Sequence, residues 1–232
     1  MWDLLKLENL GLAAPPYELK RGMLNNVLKS IRPPNPNGIQ SLAAIPAPYN
    51  ATSDGEPFFR HTGVNVGYSL FVSNEGLTMM EAADKLFIDG MFQIVPRNLQ
   101  FTQLFVIVSG ICKFLYPSAI AFMTNKDEAS YFAVPGSIVQ EATGANITIN
   151  PVELVFDFEL AAANAAFRIW PGARRNFCKF HFGYNLRKHV QQDGLLPVIN
   201  MIHPPNHNGV PCVLKDIYKK AKALPWLPVR RC

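Results

Sequence analysis

The spacing of hydrophobic positions changes character along the chain. Between residues 17 and 31, Leu19, Met23, Val27 and Ile31 recur every fourth position, as on one face of a helix. From residue 68 onward the apolar residues come in short runs instead, at 68–72, 85–95, 101–108, 111–123, 153–158 and 174–182. Runs of that length, rich in Val, Ile and Phe, predict buried strands. Helical segments fall between them: 77–84, 125–134 with a stop at Pro135-Gly136 and a second piece to 143, and an alanine-rich stretch ending at Pro171-Gly172. A last helix carries Leu186 and Val190 and ends at Gly194. Three strands in a meander, then helix, strand, helix and strand, give an α/β order with a mixed sheet. In such a sheet the first strand of the meander can lie beside the fourth, in parallel.

Three regions follow. Residues 1–57 hold eight of the nineteen prolines and read as an arm or linker. Residues 58–200 form the core, and 201–232 a basic C-terminal segment. Residues 101–123 are apolar enough to suggest a membrane span, but Lys113 sits at the centre, where a charge costs roughly 2.5–3.5 kcal/mol. Two strands turning near Ser109-Gly110 fit better, and no membrane is expected. The opening residues are interrupted by Asp3, Lys6 and Glu8 and do not read as a signal peptide.

Charge and cysteine content narrow the picture only a little. A net charge of +5 permits a polyanionic partner without requiring one. Four cysteines in 232 residues suggest a reducing compartment rather than a disulfide framework.

The candidate chemistry lies at strand ends. Asp89 and Asp157 each close an apolar run, and carboxylates on neighbouring strands can share divalent cations. Each has a plainer reading. Asp89-Gly90 alone is a hairpin-turn signal, and Asp157 could cap the helix that follows, with Glu159 complementing its dipole. Cys178 and His181 have the spacing of half a zinc site, which His203, His207 or Cys212 would have to complete. Read as a nucleophile pair they are disfavoured, since on a strand residues three apart face opposite ways. Arg174, Arg175, Lys179, Arg187 and Lys188 lie close to these residues in sequence, where a phosphate backbone would need cations.

Taken together the motifs resemble a known family. Asp89-Gly90-Met91-Phe92, Gln103-Leu104-Phe105, the segment Thr124 to Tyr131, Asp157-Phe158-Glu159-Leu160-Ala161-Ala162, Trp170-Pro171-Gly172-Ala173 and Cys178-Lys179-Phe180-His181 follow one another as in the MULE (Mutator-like element) transposase domain. The resemblance covers about residues 68–200, with 223–228 similar to a downstream piece. It implies a ribonuclease H-like fold and a DDE-type reaction. Mg²⁺ or Mn²⁺ held by acidic residues would activate water, and then a DNA 3′-hydroxyl, for attack on phosphodiesters. Asp89 matches the first acidic ligand, Asp157 the second, and Cys178 and His181 the family's C-x-x-H signature; zinc is not expected. Met91 replaces the threonine usual beside the first ligand. The family's third acid, a glutamate, is expected beyond a helical insertion, and this chain stops at Cys232 before it. Asp193 reads as a helix end, and Asp216 in its lysine-rich helix is no better. The implied partner is DNA at transposon ends, with a homo-oligomer and a nuclear setting as further expectations. The catalytic set is expected to be incomplete in this chain, and the alternative is a non-catalytic, domesticated DNA- or protein-binding module.

Overall fold

Strand β3 (Lys85–Met91) is the hub of a seven-stranded mixed sheet, ordered β1-β2-β5-β4-β3-β6-β7. The other strands are β1 (Phe59–Gly63), β2 (Tyr68–Val72), β4 (Gln103–Ile111), β5 (Phe114–Met123), β6 (Glu153–Phe156) and β7 (Arg174–Phe177). A computed structural model describes residues 17–32, 45–46, 49–63, 67–92, 94–95, 99–200 and 213–226. The chain divides into two units, Met1–Asn37 and Gly38–Cys232. The first contains helix α1 (Tyr17–Ile31), where the four-residue spacing predicted it. Most of the proline-bearing arm, and His203, His207 and Cys212, lie outside the described residues.

The second unit contains the meander. β3 pairs antiparallel with β4, and β4 with β5. The turn between β4 and β5 is Cys112-Lys113, with Cys112 at φ 55°, and not Ser109-Gly110 as the sequence suggests. Gly110 serves a different purpose. It pairs with Lys85, and a methyl group there would come within 3.0 Å of the Phe87 ring. Strand β1, which no clear alternation announces, joins β2 at the outer edge through a register irregularity between Phe59 and His61.

Helices α2 (Asn74–Glu81), α3 (Glu128–Gly144) and α4 (Leu160–Ile169) contribute to the main core with one face of the sheet. α2 begins three residues before the expected start because the Ser73 hydroxyl accepts from the Gly76 amide. α3 runs straight through Pro135, where the sequence predicts a stop. The proline removes one backbone donor, but Tyr131, Val134, Ile138 and Ala142 are all buried, and that packing outweighs the local preference. α4 presents Ala162, Ala163, Ala165 and Ala166 inward, small side chains that let it lie close against its neighbours.

From β7 the chain enters α5 (Lys179–Gln192), then α6 (Leu196–Asn200), α7 (Val213–Ala223) and a short 3-10 turn at Leu224–Trp226. The strand predicted over 174–182 therefore ends at Phe177, and its second half is helix. Asp193 caps the C-terminus of α5 and Gly194 follows at φ 70°, the helix end that Gly194 signals. Among the described residues no helix is long and apolar enough to cross a membrane.

Candidate metal centre

The parallel pairing of β3 with β6 runs from Lys85 opposite Glu153 to Ile88 opposite Phe156. The next residue on each strand is an aspartate. Asp89 remains within β3, paired with Val106 of β4, so Asp89-Gly90 is strand and not a hairpin turn. Asp157 stands one residue past β6. Equal register on adjacent parallel strands brings the two carboxylates together on one face, since Leu86 and Ile88 point into the core on the other.

Asp157 is not the cap of α4 that its position suggests. Glu159 holds that place without a side-chain capping bond, while the Asp157 Oδ1 accepts from the Glu159 amide at 2.7 Å. This fixes the turn out of the strand and the direction of the carboxylate.

A third side chain arrives from farther along the sequence. The Cys178 amide donates to the Phe156 carbonyl at 2.6 Å, tying the start of α5 to the end of β6. His181 lies in the first turn of that helix. One ligand atom from each of Asp89, Asp157 and His181 lies within 4.8 Å of the others. The Nδ1 atom of His181 is buried and has no hydrogen-bond partner. Two carboxylates supply the hard oxygen ligands that Mg²⁺ and Mn²⁺ prefer, and an imidazole beside them suits Mn²⁺ better than Mg²⁺. An imidazole with an unpartnered buried nitrogen, grouped with two acids, fits such a donor set.

Burial pushes the Asp89 carboxyl above the usual carboxylate range. The His181 imidazole pulls it back, Asp157 adds to the rise, and the Gly90 amide lowers it, with a net upward shift. The folded chain therefore holds this proton more tightly than the unfolded chain. Stability from this group is greatest below the ordinary aspartate value and declines as pH rises through the raised one. Asp89→Asn should flatten that decline and stabilise the cation-free protein at neutral pH by about 1 kcal/mol. Urea unfolding at several pH values measures it. A lowered midpoint would mean that Asp89 gains more from His181 than it loses by burial.

Cys178 and His181 do not lie on opposite faces of a strand, because α5 begins at Lys179. Cys178 sits at the N-cap and lines a neighbouring groove with Phe87, Val155 and Phe177, outside the three-residue cluster. All five predicted basic residues are exposed. Arg174 pairs with Glu153 at 3.6 Å, and Arg175 donates to the Asn164 Oδ1 at 3.3 Å while lying over the Phe167 ring. Lys179, Arg187 and Lys188 are exposed on α5.

Sequence reasoning gave no role at the site to Gln103 and Tyr131, and gave Glu159 only a dipole role. Glu159 lines the same narrow cleft as Asp89 and Asp157. Their signal was present only as membership in the motif blocks, because nothing in spacing links residues 103, 131 and 159.

No curated protein matches the chain. Residues 85–185, from the first residue of β3 into α5 and including Asp89, Asp157 and His181, match the family model of the MULE transposase domain, and that is the family to which this stretch is similar.

Proposed function

We propose that this chain carries the core of a DDE-type transposase domain, with a ribonuclease H-like sheet, in which Asp89 and Asp157 hold Mg²⁺ or Mn²⁺ against DNA. The strand order supports the fold reading. β5-β4-β3 is an antiparallel meander beside the parallel pair β6-β7, with Asp89 in β3 and Asp157 just past the end of the adjoining β6. The observation that carries the functional reading is the convergence of Asp89, Asp157 and His181 within 4.8 Å.

A bound divalent cation would polarise a phosphoryl oxygen and lower the pKa of bound water. The chain's own residues have separate tasks. Asp89 and Asp157 supply the negative charge that retains the cation, and His181 offers either a third ligand or a donor to a phosphate oxygen. Arg187 and Lys188, exposed on α5, offer charge to a DNA backbone. Among the described residues neither Asp193, at the end of α5, nor Asp216, in α7, joins the cluster of Asp89, Asp157 and His181.

The test uses the whole chain, supercoiled plasmid, and Mg²⁺ or Mn²⁺. The expected result is DNA retention and cation binding without robust nicking. Robust nicking that disappears in Asp157→Ala would show that the chain does supply a third ligand. Retention of neither DNA nor cation would overturn the reading. Exposed Arg187 and Lys188 also favour a second reading, a non-catalytic DNA-binding module. In that case DNA retention falls steeply with salt and is indifferent to Asp89→Asn.

A further inference from the structure

Beneath the two aspartates a buried phenol holds a third carboxylate that takes no part in the three-residue cluster. Tyr131, 1% exposed on α3, places its hydroxyl 2.6 Å from the Glu159 Oε1 and 2.9 Å from the Gln103 Oε1. A phenol has one proton, and the shorter, charged contact takes the larger share of it. Gln103 is itself fully buried at the start of β4, so the Tyr131 hydroxyl is fixed between two rigid elements.

Glu159 touches both arms of the site. Its amide donates to the Asp157 Oδ1 at 2.7 Å. Its other carboxylate oxygen, Oε2, lies 3.6 Å from where a methyl on Gly90 would stand, against the strand end that presents Asp89. Gly90 points to the face opposite Asp89 and has no side chain, and that gap lets Glu159 approach the β3 backbone. One residue, anchored from below, thus spans the Asp157 turn and the Asp89-Gly90 strand end.

We infer that Glu159, clamped by Tyr131, is a positioning residue for the cation site: it sets the Asp157 turn in register with Asp89. The inference rests on the proposed cation-binding role of Asp89 and Asp157. Partners of this kind, one step removed from the ligands, typically alter metal affinity about 10–100-fold when removed. Their effect comes through geometry, so a neutral side chain of the same shape should replace them.

The experiment titrates Mn²⁺ alone into the full chain, followed by the electron paramagnetic resonance signal of free Mn²⁺. Wild type, Asp89→Asn, Glu159→Ala, Glu159→Gln and Tyr131→Phe are compared, each with its cation-free melting temperature. Glu159→Ala should weaken Mn²⁺ binding by about tenfold or more, and Tyr131→Phe in the same direction. Glu159→Gln, whose amide oxygen still accepts from Tyr131, should keep affinity within a few-fold of wild type. Where Glu159→Ala does not fold, Tyr131→Phe carries the same comparison. Wild-type affinity in Glu159→Ala or, in its place, in Tyr131→Phe overturns the inference, as does a loss in Glu159→Gln equal to that in Glu159→Ala, which would make the charge itself the ligand. If Asp89→Asn binds Mn²⁺ as wild type does, the cation reading itself fails, and this inference with it.

Discussion

Asp157→Asn should lower Mn²⁺ affinity at least about a hundredfold, a change near 3 kcal/mol. The argument depends on the choice of substitution. Asparagine keeps an oxygen able to accept from the Glu159 amide, so the turn leaving β6 persists, and only the anionic ligand is lost. Asp89 and His181 would then face the cation with one negative charge instead of two. Isothermal titration calorimetry at fixed ionic strength measures the loss. An unchanged affinity would place the cation elsewhere and detach the two aspartates from metal chemistry. Asp157→Ala should do more harm to the fold, because it also leaves the Glu159 amide without its acceptor.

Leu154→Ala should destabilise the fold by about 3 kcal/mol. Leu154 is fully buried in β6, opposite Leu86 of β3 and Arg175 of β7, and belongs to the main core. Removing three carbons there leaves a cavity in the core between the sheet face and its helices, which the backbone pairing of β6 on both sides keeps from closing. Leu115→Ala is the control. Leu115 is 61% exposed near the tip of the β4–β5 hairpin, and its loss should cost less than about 0.5 kcal/mol. Urea unfolding of both variants gives the comparison. Equal effects would mean that the hairpin tip is packed against something, or that β6 is not central to the core.

The features legible in sequence were those with a local physical cause. The parallel placement of β3 beside β6 followed from the order of apolar runs, and with it the meeting of Asp89 and Asp157. Helix α1, strand β2 and the end of α5 at Gly194 were equally readable, from periodicity and from glycine chemistry. Errors arose where distant packing overruled a local signal. Pro135 reads as a stop, yet α3 continues because the residues around it are buried. Gly110 reads as a turn, yet the Phe87 ring occupies the space its side chain would need. Apolar residues Phe180 and Phe182 read as strand, although the chain had already turned into α5 after Cys178. His181 therefore reaches the aspartates from the first turn of a helix and not from a strand end. The Tyr131–Glu159 contact lay deeper still, since it joins two helices through side chains that no periodicity connects.

The three converging side chains also bear on how the protein is born. They come from positions 89, 157 and 181, and although β3 can pair at once with β4, its parallel partner β6 is synthesised much later. Long-range parallel pairing of this kind is slow to nucleate. On a ribosome the Asp89–Asp157–His181 cluster is complete only once α5 has emerged, so a cation held there as proposed would act late, on the finished sheet and not on early collapse. Ion occupancy would then report completed synthesis and folding, and a protein starved of the ion should reach its native state at the same rate but leave it sooner.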